Sequence, residues 1–388
     1  MKLTVPHRLQ FSSKPRPTPQ TRVAIECLTV TTNRPMGGTN AVPVAVNNIL
    51  RLNGRSFSCF VLVSKSGYAA FQSGRNTRIV ICPMAENEVI RTFWTMAVLP
   101  ILLRLLRVQV VLSFSSFGIP LSMTRMIFFH SGTQRTTLPR EYGFLSRVFM
   151  GLSQRLSVRQ AKLVIAPSNI AKAELQQTFN VNASKVNVLY FAPRLGATRE
   201  FSSAPVHASI GRKIVLTVGT TPQKNLARLI ESFQLLVREG RRDACLVIVG
   251  NRSARLESII EGLPSELQTK VVLTGTIPDV ELMKLYKSAD VLAMVSVYET
   301  FGYPVLEAMQ LGLPVLCSKG TSLGELTGDA ALLVNPWDTN EIAAGLRQIL
   351  EDASLRRILV ERGYSQVSRF SWEKTAWKLN SIINSQLV

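Results

Sequence analysis

Short apolar runs punctuate this chain, and most stretches between them carry helical spacing. Runs at residues 23–30, 60–63, 79–82, 108–113, 126–130, 163–166 and 186–189 read as buried strands, with a loop over 31–39 that carries Gly37-Gly38 and a first helix over 41–52. A second series places strands at 214–218, 246–249, 271–274, 291–297 and 314–316. Its helices start near Asn225, Ser253, Asp279 and Pro304, and again after Trp337. Strands that alternate with helices predict parallel, doubly wound α/β sheets. Between the two series, residues 196–211 turn small and polar, with Gly196, Pro205 and Gly211, and read as a linker. The pattern predicts a first α/β domain over 21–195 and a second over 212–371. Two such sheets in tandem leave a cleft between them, and open α/β sheets bind ligands at the carboxyl ends of their strands.

One stretch concentrates candidate chemistry. The apolar run at 291–297 leads into Tyr298-Glu299-Thr300-Phe301-Gly302-Tyr303-Pro304, and a helix follows that carries Glu307. Proline suits a first helical turn, because its fixed φ fits and its missing N–H has no partner there anyway. A helix N-terminus presents unpaired N–H groups and partial positive charge, which suits a phosphate. Two carboxylates beside such an anion site offer acceptors for sugar hydroxyls.

Charge changes the picture of the first domain. The chain has 388 residues and a net charge of +20, and residues 1–200 carry 25 Lys and Arg against six Glu and no Asp. A basic half seeks an anionic surface or substrate. Residues 91–107 are apolar and aromatic with flanking arginines, and residues 140–159 alternate arginine with Phe144, Leu145, Val148, Phe149 and Leu152. Basic amphipathic helices of this kind suit an anionic membrane interface, and a core-packing helix with snorkelling arginines is the plainer alternative. No nucleic-acid reader motif occurs, so nucleic acid is not expected as a partner. The first twenty residues are polar, carry Pro15, Pro17 and Pro19, and lack an apolar h-region, so they read as a flexible tail. No apolar run reaches the roughly 20 residues of a membrane span. The five cysteines lie in or beside apolar segments without CxxC spacing, and buried free thiols are expected.

From Lys213 onward the text resembles the glycosyltransferases of family 4, also called group 1. The match runs in order through Val218-Gly219-Thr220-Thr221-Pro222-Gln223-Lys224-Asn225 and Thr274-Gly275-Thr276, then Leu285-Tyr286-Lys287-Ser288-Ala289-Asp290 and the Glu299 to Glu307 stretch. It continues through Gly312-Leu313-Pro314-Val315, Gly328-Asp329-Ala330-Ala331 and Phe370-Ser371-Trp372-Glu373. It is close over about residues 213–380. Over the first domain it rests on Gly37-Gly38 and His130. The resemblance implies two Rossmann-like domains facing a cleft, the GT-B arrangement, with the final helix (372–388) crossing back to the first domain. It implies transfer of a hexose from a nucleotide-diphosphate sugar with retention and without a metal. No Asp-x-Asp metal motif occurs, and no cofactor is expected beyond the GDP- or UDP-linked donor.

The resemblance also implies roles. Glu307 holds ribose hydroxyls. Glu299 holds the donor sugar, together with Thr300, Phe301 and Gly302. Lys224 neutralises the diphosphate, which Gly37 and Gly38 approach through backbone N–H groups. His130 sits by the sugar on the side of the first domain. Catalysis is expected to rest on Glu299, His130 and Lys224, and the acceptor is expected to be a glycan or lipid-linked sugar at the cytoplasmic face of a membrane. A soluble acceptor, as in sucrose synthases, and a non-catalytic nucleotide-sugar-binding paralogue are the alternatives.

Three departures bear on the site. Ser131-Gly132 follows His130 where an aspartate is frequent. Many members carry an arginine in the Lys224 loop; here Thr220 and Gln223 stand nearby, which leaves Arg34 or Arg252 as candidate helpers. Tyr190-Phe191-Ala192-Pro193 replaces the family's common Asn-Gly-Val-Asp.

Overall fold

A computed structural model describes residues 21–30, 37–52, 57–74, 76–82, 86–138, 143–195 and 213–387. The expected tail and linker, and Arg34, lie outside these residues. The first domain runs β1 (Arg22–Cys27), α1 (Gly37–Leu52), β2 (Ser58–Val63), β3 (Thr77–Ile81), α2 (Glu88–Phe93), α3 (Leu99–Leu105), β4 (Val110–Ser113), β5 (Arg125–Phe129), α4 (Gln134–Thr137), α5 (Phe144–Gln160), β6 (Leu163–Ala166), α6 (Asn169–Phe179) and β7 (Val186–Val188). A π-helical turn, Trp94–Val98, joins α2 to α3.

The second domain runs β8 (Lys213–Val218), α7 (Leu226–Arg238), β9 (Ala244–Val249), α8 (Ala254–Glu261), α9 (Ser265–Gln268), β10 (Val271–Gly275), α10 (Asp279–Ser288) and β11 (Val291–Met294). It continues through α11 (Tyr303–Gln310), β12 (Val315–Ser318), α12 (Ser322–Thr327), β13 (Leu332–Val334), α13 (Thr339–Glu351) and α14 (Ala353–Val367). A last helix, α15 (Trp372–Ser385), follows.

Both sheets are parallel. Their orders are β3-β2-β1-β4-β5-β6-β7 and β10-β9-β8-β11-β12-β13. Each order reverses beside its first strand, between β1 and β4 and between β8 and β11. Those reversals open the crevices where doubly wound sheets bind ligands. The strand cores are continuous apolar runs because both faces are covered: β4, β9, β11 and β12 are buried throughout.

α15 returns to the first domain, as the resemblance implies. It packs on α1, with Asn380 Nδ2 donating to the Ile49 carbonyl at 3.3 Å. Trp372 anchors its start: Nε1 donates to the Pro193 carbonyl at 2.9 Å, and the ring meets Phe191 at 5.9 Å. The five cysteines are buried and none forms a disulfide.

One expectation needs correcting. Gly37 and Gly38 do not sit in a loop ahead of a helix starting at Ala41; they form the first turn of α1, and Pro43 falls inside the helix. The first N–H groups of a helix have no intrahelical acceptor, so a glycine pair is tolerated there, while Pro43 gives up one interior hydrogen bond and crowds the turn before it. Strand β13 and helix α12 are additions to the sequence reading. Three residues of strand and six of helix are too short for periodicity to register.

Candidate active site

The second domain's crevice gathers the predicted residues. Lys224 follows β8 and Glu299 follows β11, the two strands flanking the reversal. The Lys224 ammonium contacts Glu299 Oε1, and both side chains are about 85% buried, at 14% and 15% exposure. Gly219 makes room for this pair. It holds φ +100°, and a Cβ there would lie 2.7 Å from Lys224 Cε. The lysine stem crosses bare backbone, which only glycine allows.

The Glu299 loop is pinned from below. Ser322 Oγ lies 2.8 Å from the Glu299 carbonyl and 2.6 Å from that of Phe301. The Phe301 ring packs edge-on against Tyr303 at 5.0 Å and Phe191 at 5.8 Å. Among the described residues, no acceptor takes the backbone N–H groups of Thr300, Phe301 or Gly302. Gly302 is the cap ahead of α11, with Pro304 in the first turn as the sequence predicts.

Glu307 stands deeper than its implied ribose role suggests, at 1% exposure. Its Oε2 accepts from the Tyr286 hydroxyl at 3.0 Å. Its Oε1 lies 3.4 Å from Arg194 Nε, an ion-pair distance, and has no hydrogen-bond partner among the described residues. Burial pushes the Glu307 carboxyl up, and the Arg194 charge opposes that. Arg194 Nη1 also donates to both oxygens of Asp279, at 2.7 and 2.8 Å. Sequence reasoning missed Arg194. It sits just past the segment that departs from the family pattern, and its two acidic partners are about 85 and 110 positions away. Arg252 pairs with Glu257 on the surface at 2.7 Å.

On the facing side, His130 directly follows β5 and is 1% exposed. Its Nδ1 accepts from the Gly132 N–H at 3.2 Å, and its buried Nε2 has no hydrogen-bond partner among the described residues. Phe128 and Phe179 flank the ring edge-on, each at 5.7 Å. Burial pushes the imidazole down to about 4, so the ring is neutral at neutral pH. Its loop meets the Glu299 loop directly. The Thr133 N–H donates to the Tyr298 hydroxyl at 2.8 Å, and Thr300 Oγ1 donates to the Ser131 carbonyl at 3.0 Å. The structure thus brings Lys224, Glu299, Thr300, Phe301 and Gly302 together, with the His130 loop opposite. Tyr298, Ser322 and Glu325, which also join or brace the two walls, lie in matched motifs but were given no role from sequence.

Two family profiles divide this architecture between them. Residues 44–191 match "Glycosyltransferase Family 4", and residues 199–366 match "Glycosyl transferases group 1". The O-antigen chain mannosyltransferase B of Escherichia coli is 34% identical over 272 residues, which cover 66% of this chain and 70% of that one. The chain belongs to the family 4 glycosyltransferases. It is an enzyme of sugar transfer, and its fold is GT-B. WaaG, a glycosyltransferase involved in lipopolysaccharide biosynthesis, superposes with a TM-score of 0.71 at 18% identity, covering 93% of this chain and 99% of that one. Anabaena HepE in complex with UDP-glucose superposes with a TM-score of 0.68 at 16% identity, covering 94% and 99%. The sequence resemblance to this family and the two-domain fold it implied are both borne out.

Proposed function

We propose that this glycosyltransferase moves a hexose, with retention and without a metal, from a nucleotide-diphosphate sugar to a polysaccharide or lipid-linked acceptor at the cytoplasmic membrane surface. The observation that carries the reading is the Lys224–Glu299 contact at the sheet reversal, beside N–H groups that no described residue engages. In this reading Lys224 leaves Glu299 for the diphosphate, and the freed carboxylate accepts from donor-sugar hydroxyls. The N–H groups of Thr300 to Gly302 and the α11 terminus face the developing negative charge, which is where preorganised donors lower a barrier. Glu307 Oε1, enclosed beside Arg194 and lacking a hydrogen bond, is the acceptor that a ribose hydroxyl reaches once the crevice admits the donor. His130, neutral and with Nε2 unengaged, faces the sugar from the other wall. The acceptor hydroxyl attacks on the face the diphosphate leaves, and a phosphate oxygen takes its proton.

The relative named as an O-antigen chain mannosyltransferase favours mannose as the sugar. The membrane part rests on a surface. α3 and α5 cover the same face of the first sheet, through Leu99, Leu103 and Val158, and α2 leads into α3. Outward they expose Val89, Phe93, Leu105, Phe144, Leu145 and Leu152 among arginines. Among the described residues no helix is long and apolar enough to cross a membrane, so this face would lie on the bilayer interface. The test is release of nucleoside diphosphate from a panel that includes GDP-mannose and UDP-glucose. Turnover with GDP-mannose is expected. Release from neither donor with any glycan or lipid-linked acceptor would overturn the reading.

A further inference from the structure

Tyr298 stands one residue before the acid that this reading gives to the donor sugar, and its hydroxyl belongs to the other domain's hydrogen-bond network. It accepts from the Thr133 N–H at 2.8 Å and donates to Glu174 Oε2 at 3.0 Å. The second Glu174 oxygen accepts from Thr133 Oγ1 and, at 2.9 Å, from Thr137 Oγ1. A phenol used as donor and acceptor at once is fixed in direction as well as place. The ring is 8% exposed. On the far side of the acid, Thr300 is fastened to the same domain: Oγ1 to the Ser131 carbonyl at 3.0 Å, and its own carbonyl to Ser168 Oγ at 2.8 Å. Residues 298 and 300 turn to the first domain, while Glu299 turns to Lys224 in the second. The interface has no slack. A Cβ on Gly132, at φ +133°, would lie 2.6 Å from Thr300 Cγ2 and 2.8 Å from the Tyr298 hydroxyl. Gly132 also donates to His130 Nδ1.

We propose that Tyr298 is a positioning residue. Its hydroxyl ties the Glu299 loop to the His130 loop, so both walls of the donor-sugar site take their places only when Tyr298 is seated on Thr133 and Glu174. It does not itself touch the donor. Burial pushes the Glu174 carboxyl up, and the hydrogen bonds it accepts from Thr137 and Tyr298 oppose that shift. The inference rests on the reading of Glu299 as the sugar-contacting acid.

The experiment compares Tyr298→Phe, Glu174→Ala and their double variant with the wild type, recording kcat, nucleoside diphosphate affinity and Tm. Tyr298→Phe keeps the ring and is expected to lower kcat about tenfold to a hundredfold, while affinity for the nucleoside diphosphate alone stays within about twofold. Glu174→Ala, on a half-buried helix face, is expected to give a loss of the same kind. The double variant is expected to be no worse than the poorer single one, because both changes break one network. Glu174→Gln keeps an acceptor oxygen and is expected to restore most of the rate. Three results would overturn the inference: Tyr298→Phe within twofold of wild-type kcat, a loss of nucleoside diphosphate affinity equal to the loss of rate, or additive effects. Glu299→Gln in the same assay separates the two ideas. If it turns over normally, the Glu299 reading fails; if it is inactive while Tyr298→Phe is not, only the positioning role fails.

Discussion

Burial holds the His130 imidazole down at about 4, against an ordinary value of 6.5. The unfolded chain therefore binds a proton here between pH 6.5 and about 4, and the folded chain does not. Where the unfolded state binds more protons, stability rises with pH. The stabilising term is thus fully present above pH 6.5 and lost as pH falls, by about 2 kcal/mol at pH 5 and about 3 kcal/mol at pH 4. Urea unfolding at pH 7.5 and pH 5 should show this loss in the wild type. His130→Leu should lack that part of the loss. The buried Glu26, Glu174 and Glu307 carboxyls are shifted upward, so their terms run the opposite way and are common to both proteins. Lys224 makes a second prediction at this scale. Removing its charge leaves Glu299 without its cation and the diphosphate without one of its donors. Lys224→Met is expected to lower turnover about 100-fold to 1,000-fold, the cost of losing one preorganised charge partner. It should also abolish thermal stabilisation by nucleoside diphosphate, because a ligand raises apparent stability only in proportion to its binding. Retained stabilisation would move the diphosphate away from Lys224.

Among the elements, α5 shows how a surface can be read from sequence and yet keep its partner hidden. Phe144, Leu145, Val148 and Leu152 are exposed, while Met150, Ser153, Gln154, Ser157 and Val158 turn inward. Large apolar side chains are left in water beside arginines on a helix that already has a buried face, and that pattern needs an occupant. If the occupant is an anionic bilayer, replacing Phe144 and Leu145 by serine removes about 1.5–3 kcal/mol of transfer free energy per side chain. Sedimentation with vesicles rich in anionic lipid should then show a tenfold or larger drop in binding, with turnover on a soluble glycan acceptor unchanged. Equal binding by both proteins would leave this face without a membrane role. The strands were legible because a parallel sheet buries both faces, so β9 and β11 announce themselves as unbroken apolar runs and β1, past its first residue, as a run broken only by Glu26. The start of α1 was misread because Gly37-Gly38 carries the composition of a turn, and nothing local distinguishes a glycine turn from a glycine first helical turn.

For the whole molecule, sequence order placed the candidate residues within each domain and showed little of what joins the domains. Lys224 and Glu299 were legible because motif spacing places each just past a strand. Their mutual contact was not, since it depends on which strands neighbour each other at the reversal. Glu325 is the clearest case: sequence assigned it no role, and the structure gives it the N-terminus of a helix in the other domain. Its carboxylate accepts from the Asn169 and Ile170 N–H groups of α6 at 2.8 and 2.9 Å, from Asn169 Nδ2 at 3.0 Å and from the Tyr190 hydroxyl at 2.7 Å. A carboxylate at a helix N-terminus takes up N–H groups that lack intrahelical acceptors and meets the positive end of the dipole. Because α6 and α12 lie in different domains, that local stabilisation acts as a cross-domain clasp. Glu325→Ala leaves those donors to water and is expected to cost about 1–3 kcal/mol of the free energy that holds the domains together. Most of that cost should appear as separation of the two domains, since each retains its own sheet and core. Small-angle scattering without nucleotide should give a larger radius of gyration for Glu325→Ala than for the wild type, and Glu325→Gln, with one acceptor oxygen left, should fall between them. An unchanged radius in Glu325→Ala, with an unchanged unfolding profile, would show that the Tyr298, Thr300 and aromatic contacts close the molecule without the clasp.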